Sequence, residues 1–295
     1  MDSSTGSTLS SLILFLLLSA IWVGIALWLG RRAGLFRYPA LHVSGPLRAL
    51  DPMTLLKLVG AIIITLSGLF VISVLALVLF PQASRTAATS LGQALFLTCV
   101  QALLLAILLG YSRLLGRPTW TFLFGTQGQH KSFGLGVLTW LIAFPCSILI
   151  STLITLLLYP FFGLVEGKQD VVEAVRQLAE HPGLFALLAF SIIVLVPITE
   201  ELLFRGYLQG WLRRHLSARW AILITALLFA LAHFSLAQGV GNLPILAGLF
   251  VLGLFLGHLF ERERTILANI ALHATFNAFT MVTIGMELFW IGKGH

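Results

Sequence analysis

The sequence predicts an all-α fold, a polytopic membrane helical bundle of about eight transmembrane helices. Three observations carry that expectation. Of the 295 residues, 58% are hydrophobic and only 10% charged, with a mean hydropathy of +0.99, whereas a soluble domain has roughly 25% charged residues. Apolar runs near the ~20 residues that cross a hydrocarbon core of ~30 Å recur along the chain. They lie at about 9–30, 54–80, 88–112, 133–160, 183–211, 219–241, 243–260 and 265–286. Pro81, Pro118 and Pro182 fall between these runs and Pro244 at the very start of the seventh, where helix breakers belong.

The first run follows a stretch with Asp2 and no basic residue and ends at Arg31 and Arg32. This pattern predicts a retained span with its N-terminus outside rather than a cleaved signal. Runs two to four are almost purely apolar, with scattered Ser, Thr and Gln. The acidic loop 166–181 is expected to carry a short surface helix over Asp170 to Ala179. The fifth run contains Pro197, Glu200, Glu201 and Arg205, and the sixth Phe229 and His233. The seventh holds Gly253 and Gly257, a spacing expected to let helices approach closely, and the eighth holds His273 and Asn277. Three segments follow: membrane helices of unassigned role over 1–181, a domain over 182–286 that holds all the polar residues at depth, and a tail over 287–295.

The formal charge of +7 reads as loop orientation, because no basic soluble module exists to host nucleic acid. Thirteen basic residues, from Arg31 to Arg264, fall in one set of alternate loops, against four in the other: Arg85, Lys168, Arg176 and Lys293. The asymmetry predicts an even number of spans with both termini outside. The run Glu261, Arg262, Glu263, Arg264 is expected to be a solvated loop.

An ionisable side chain at membrane depth costs several kcal/mol and marks a functional site. Counted from the basic boundary at ~1.5 Å per residue, Glu200 lies roughly 20 Å deep, His233 about 21 Å, His273 about 14 Å and Asn277 about 20 Å. Helices entering from alternate sides thus bring these residues to one level. Glu201 and Arg205, four apart, are ion-pair partners. Glu200 points about 100° away and is left to act as a general base. Pro197 cannot donate its helix bond, so a backbone carbonyl beside Glu200 should be released. His273 and Asn277 share a face and suit an oxyanion, while Phe229 and His233 present a ring and an imidazole together. A base for water with oxyanion donors and no covalent nucleophile fits amide or ester hydrolysis. Neither G-x-S-x-G nor H-E-x-x-H is present.

Glu200-Glu201-Leu-Leu-Phe-Arg205, Phe229-Ala-Leu-Ala-His233 and His273-Ala-Thr-Phe-Asn277 resemble the E-E-x-x-x-R, F-x-x-x-H and H-x-x-x-N motifs of the CAAX-protease and bacteriocin-processing (CPBP, or Abi) intramembrane proteases. The resemblance covers about 182–286. It implies an endopeptidase in which Glu200 activates water, His233 assists or binds the site, His273 and Asn277 form the oxyanion hole, and Glu201 with Arg205 supports them. The partners so implied are the lipid bilayer and a membrane-associated protein or peptide substrate, prenylated or not; the compact length suggests a bacterial cell membrane. No cofactor is required in this reading. Glu200, His233 and His273 are alternatively a His2Glu zinc set. A catalytically idle scaffold or bacteriocin-immunity factor is disfavoured by the intact motifs, and a proton-coupled transporter by the absence of an internal repeat.

Overall fold

The computed structural model describes residues 3–32, 34, 53–79, 87–125, 129–163 and 182–291. The surface helix expected over 170–179 lies outside them. Every regular element described is a helix: α1 (Ser3–Arg32), α2 (Leu55–Leu79), α3 (Ala87–Leu114), α4 (Arg117–Phe124), α5 (Gln129–Phe162), α6 (182–212), α7 (Ala218–Leu231), α8 (Asn242–Glu263) and α9 (Leu267–Ile291). A 3-10 turn, Leu236–Gly241, leads into α8. Among the described residues, seven segments are long and apolar enough to cross a membrane. α1 and α2 display rows of exposed Leu, Ile, Val and Trp, the surface expected where lipid replaces water.

The run expected as one span over 219–241 is a correction. It is α7, only 14 residues long, followed by a turn and the 3-10 segment. At ~1.5 Å per residue α7 rises about 21 Å and stops short of crossing. Its end is set by Asn242. That side chain accepts from Ser235 N–H (3.0 Å) and donates to the carbonyls of Ser235 (2.7 Å) and Gly239 (3.0 Å), folding the chain back into α8.

Two apolar clusters surround the functional half. One gathers Met53, Leu58, Leu108, Leu123, Leu202, Tyr207, Phe260 and Ile266. The other gathers Phe229, Leu252, Leu256 and Leu272, with Trp140 and Phe204 packed against them. α5 packs along both α8 and α9 and carries α1 on its far side.

A buried polar ladder locks α6 to α8. The second half of α6 is π-helical over Leu202–Gln209, and a five-residue register puts more than four residues in each turn, so side chains four apart fall nearly in line. Arg205 Nη2 reaches the Gly253 carbonyl (3.4 Å), and Gln209 Nε2 donates to the Gly257 carbonyl (2.9 Å) and to Glu261 (3.2 Å). Arg213 Nε donates to Glu261 at 3.0 Å. The acceptors also sit four apart, on α8. Gly257 makes this approach possible, since a Cβ there would stand 3.1 Å from Gln209 Oε1, and Gly253 lets α7 close on α8, since a Cβ there would stand 3.0 Å from Ala226 Cα. The close packing expected of this pair is therefore present.

The ladder corrects a second expectation. Glu261 is no solvated loop residue: it is 1% exposed, paired with fully buried Arg213 at 3.0 Å and with Arg264 at 3.3 Å. The α8 helix runs on through Glu263, and burying the carboxylate is affordable only because two guanidiniums compensate it.

Candidate active site

α6 positions the two glutamates between irregular turns. Ser191–Leu195 is π-helical, with Val196 N–H donating five residues back to Ser191 O. In that register the donor for the Ile192 carbonyl would be Pro197, which has none. Asn277 of α9 supplies it, Nδ2 to Ile192 O at 2.8 Å. Thr199, on the turn before the glutamates, donates to Leu195 O (2.9 Å) and receives Gln101 Nε2 of α3 (3.0 Å). Glu200 and Glu201 thus stand on a stretch of α-helix bracketed by π turns, a feature frequent at functional sites.

The two carboxylates have different surroundings. Glu201 is fully buried, and its Oε1 accepts from Arg205 Nη1 at 3.0 Å and from His273 Nδ1 at 2.9 Å. The Arg205 guanidinium also lies over the Phe229 ring, 4.5 Å from its centroid. Glu200 is 25% exposed, with Oε1 3.9 Å from His233 Nε2 and Oε2 3.8 Å from His273 Nε2. These gaps are too long for direct hydrogen bonds and suit a single bridging water.

Phe229 organises both imidazoles. Its carbonyl accepts from His233 Nδ1 at 2.9 Å, and its ring lies 5.0 Å from that of His233 and 5.7 Å, edge on, from that of His273. With both Nδ1 atoms committed as donors, each ring turns Nε2 towards Glu200.

The structure therefore brings together Glu200, Glu201, Arg205, Phe229, His233 and His273. Asn277 stands one turn beyond His273 but bonds the Ile192 carbonyl rather than either glutamate. Several polar residues escaped sequence reading: Gln101 behind Thr199, Gln209 and Glu261 in the ladder, and Asn269, whose Nδ2 donates to the Leu256 carbonyl one turn before His273. Asn269 alone carried a legible signal, four residues before a motif histidine on an apolar helix.

Two imidazoles and a carboxylate are chemically a zinc donor set. Among the described residues, however, no group of three His, Cys, Asp or Glu is disposed to hold a metal ion. The Glu200 distances of 3.8 and 3.9 Å are wider than the ~3.3 Å between neighbouring ligands that ~2.0–2.1 Å bonds in a tetrahedron require.

Residues 182–279 match the model of a family described as Rce1-like, type II CAAX prenyl endopeptidase. The match spans about a third of the chain and contains every motif residue. No curated protein and no solved structure matches the sequence. The match agrees with the resemblance carried by the three motifs: residues 182–279 are similar to the Rce1-like type II CAAX prenyl endopeptidases.

Proposed function

We propose that the protein is an intramembrane endopeptidase that hydrolyses a peptide bond of a membrane-associated protein or peptide, with Glu200 activating the water. One observation carries the reading: the Glu200 carboxylate, only partly exposed, has an imidazole Nε2 3.8–3.9 Å from each of its oxygens. A water held between Glu200 and His233 loses its proton to Glu200 as its oxygen attacks the scissile carbonyl carbon. His233 fixes that water through Nε2. The tetrahedral oxyanion forms towards His273 and Asn277. With its Nδ1–H on Glu201, His273 can donate from Nε2 only as the imidazolium, for which Glu201 is the counter-ion once Glu200 has taken the proton of the water. Asn277 retains a second amide N–H beyond the one on Ile192. Collapse of the intermediate breaks the C–N bond, and Glu200 returns its proton to the leaving nitrogen. Glu201 and Arg205 hold His273 and do not touch substrate.

With seven crossing segments among the described residues, the even count behind both termini outside no longer holds, and a bacterial cell membrane is the proposed location. No step above runs through a metal. Purified protein in liposomes, given a membrane-anchored peptide with and without a prenylated C-terminus, tests the activity. Release of a defined product whose new carboxylate takes its oxygen from labelled water is the expected result. Failure to cleave either substrate, with proton-linked solute flux instead, would overturn it.

A further inference from the structure

We propose that the corner between α3 and α4 binds one phosphate group, that of a phospholipid headgroup at the membrane surface. α3 ends at Leu114, and the chain turns through Gly116, whose φ of 94° is open to glycine and strained for other residues. The turn leaves a cavity of about 360 Å³ lined by Arg113, Gly116, Arg117, Trp120 and Thr121. Arg113 at the end of α3 and Arg117 at the start of α4 both line it. Arg113 is stacked 4.6 Å from the Trp120 ring centroid, which fixes its charge at one wall. Among the described residues neither Arg113 nor Arg117 forms an ion pair with a carboxylate. The N-terminus of α4 has no side-chain cap, so its field adds to that of the arginines.

The setting selects the source of the phosphate. Leu114 beside the cavity is 88% exposed at the end of a span that closes at Leu114, and tryptophan at such a boundary sits at headgroup level. A headgroup phosphate between two arginines, with its chains along α3, satisfies both surfaces at once. The corner also supports the catalytic helices. Leu123 of α4 packs against Gly206 of α6, and its carbonyl accepts Ile266 N–H (2.9 Å) and Thr265 Oγ1 (3.3 Å) at the start of α9.

The test uses full-length protein in detergent, titrated by native mass spectrometry with a short-chain phosphatidic acid, the diacylglycerol of the same chains, and inorganic phosphate. Saturable binding of phosphatidic acid is expected, with the other two weaker by roughly tenfold or more. Arg113→Gln with Arg117→Gln should weaken phosphatidic acid binding by about tenfold, the loss expected from two charge-assisted contacts, and leave diacylglycerol binding and the unliganded melting temperature unchanged. Should the pair melt lower, Arg113→Lys with Arg117→Lys is the control, and retained binding there supports the site. Equal affinity for diacylglycerol, unchanged phosphatidic acid binding in the glutamine pair, or inorganic phosphate binding as tightly as the lipid would each overturn the proposal.

Discussion

Asn277 donates to the Ile192 carbonyl at 2.8 Å, filling the place that Pro197 leaves without an N–H. A residue expected to serve the oxyanion thus also closes a backbone defect beside the glutamates. The two roles separate experimentally. Asn277→Ala should cost about 1 kcal/mol of stability, the low end for an acceptor left unsatisfied in a part-buried position, and lower turnover by about two to three orders of magnitude as an oxyanion donor is lost. Pro197→Ala restores an N–H, so in that background the stability cost of Asn277→Ala should shrink while the loss of turnover persists. Thermal melts and single-turnover rates of the four proteins check this. Recovery of activity in the double variant would assign Asn277 a structural role alone.

Glu201 is the acceptor shared by Arg205 and His273. Its replacement by Gln leaves Arg205 buried with its charge uncompensated, which should cost about 3–5 kcal/mol. Glu201→Gln is therefore expected to lower protein level and melting temperature more than cleavage per folded molecule. Normal stability with activity abolished would show instead that the two carboxylates work as a coupled pair.

Arg213 and Glu261 sit at the far end of the ladder, remote from the proposed chemistry. Glu261→Leu should strip fully buried Arg213 of its carboxylate partner and lower the melting temperature, by about 3–5 kcal/mol of stability, whereas Arg213→Met leaves Glu261 paired with Arg264 at 3.3 Å and should lower it by less. The double change should regain most of it, because replacing both members of a buried pair by apolar side chains is often neutral. Cleavage per folded molecule should stay the same in all three. A double variant no more stable than the singles would contradict the pairing.

The three motifs were legible because ionisable residues in apolar helices have few structural excuses, and four-residue spacing fixes which side chains share a face. Glu201 with Arg205, and Phe229 with His233, met as that spacing requires. The end of α7 was not legible. No Pro or Gly interrupts 219–238, and the turn is made by Asn242, a residue beyond it in sequence. Glu261 was misread for a similar reason: a charged helix end looks solvated until Arg213, 48 residues earlier, is brought against it. The π turns have no periodic signature, and Pro197 hinted at only one of them.

Metal dependence is decided by Glu200, His233 and His273 together. Active protein is expected to carry no stoichiometric zinc and to keep its rate through prolonged chelation. Zinc bound one to one, lost in His233→Ala or His273→Ala, and switching activity off and on with its removal and return, would establish the His2Glu alternative.

The central claim is that the Glu200 carboxylate activates the hydrolytic water. The most direct measurement is the single-turnover rate of Glu200→Gln on a membrane-anchored peptide, beside a matched melting curve. Glu200 is partly exposed and makes no direct hydrogen bond, so the melt should be unchanged while cleavage falls by at least about two to four orders of magnitude, the usual contribution of a general base. A folded Glu200→Gln protein cleaving within about tenfold of the wild type, well inside that range, would contradict the account.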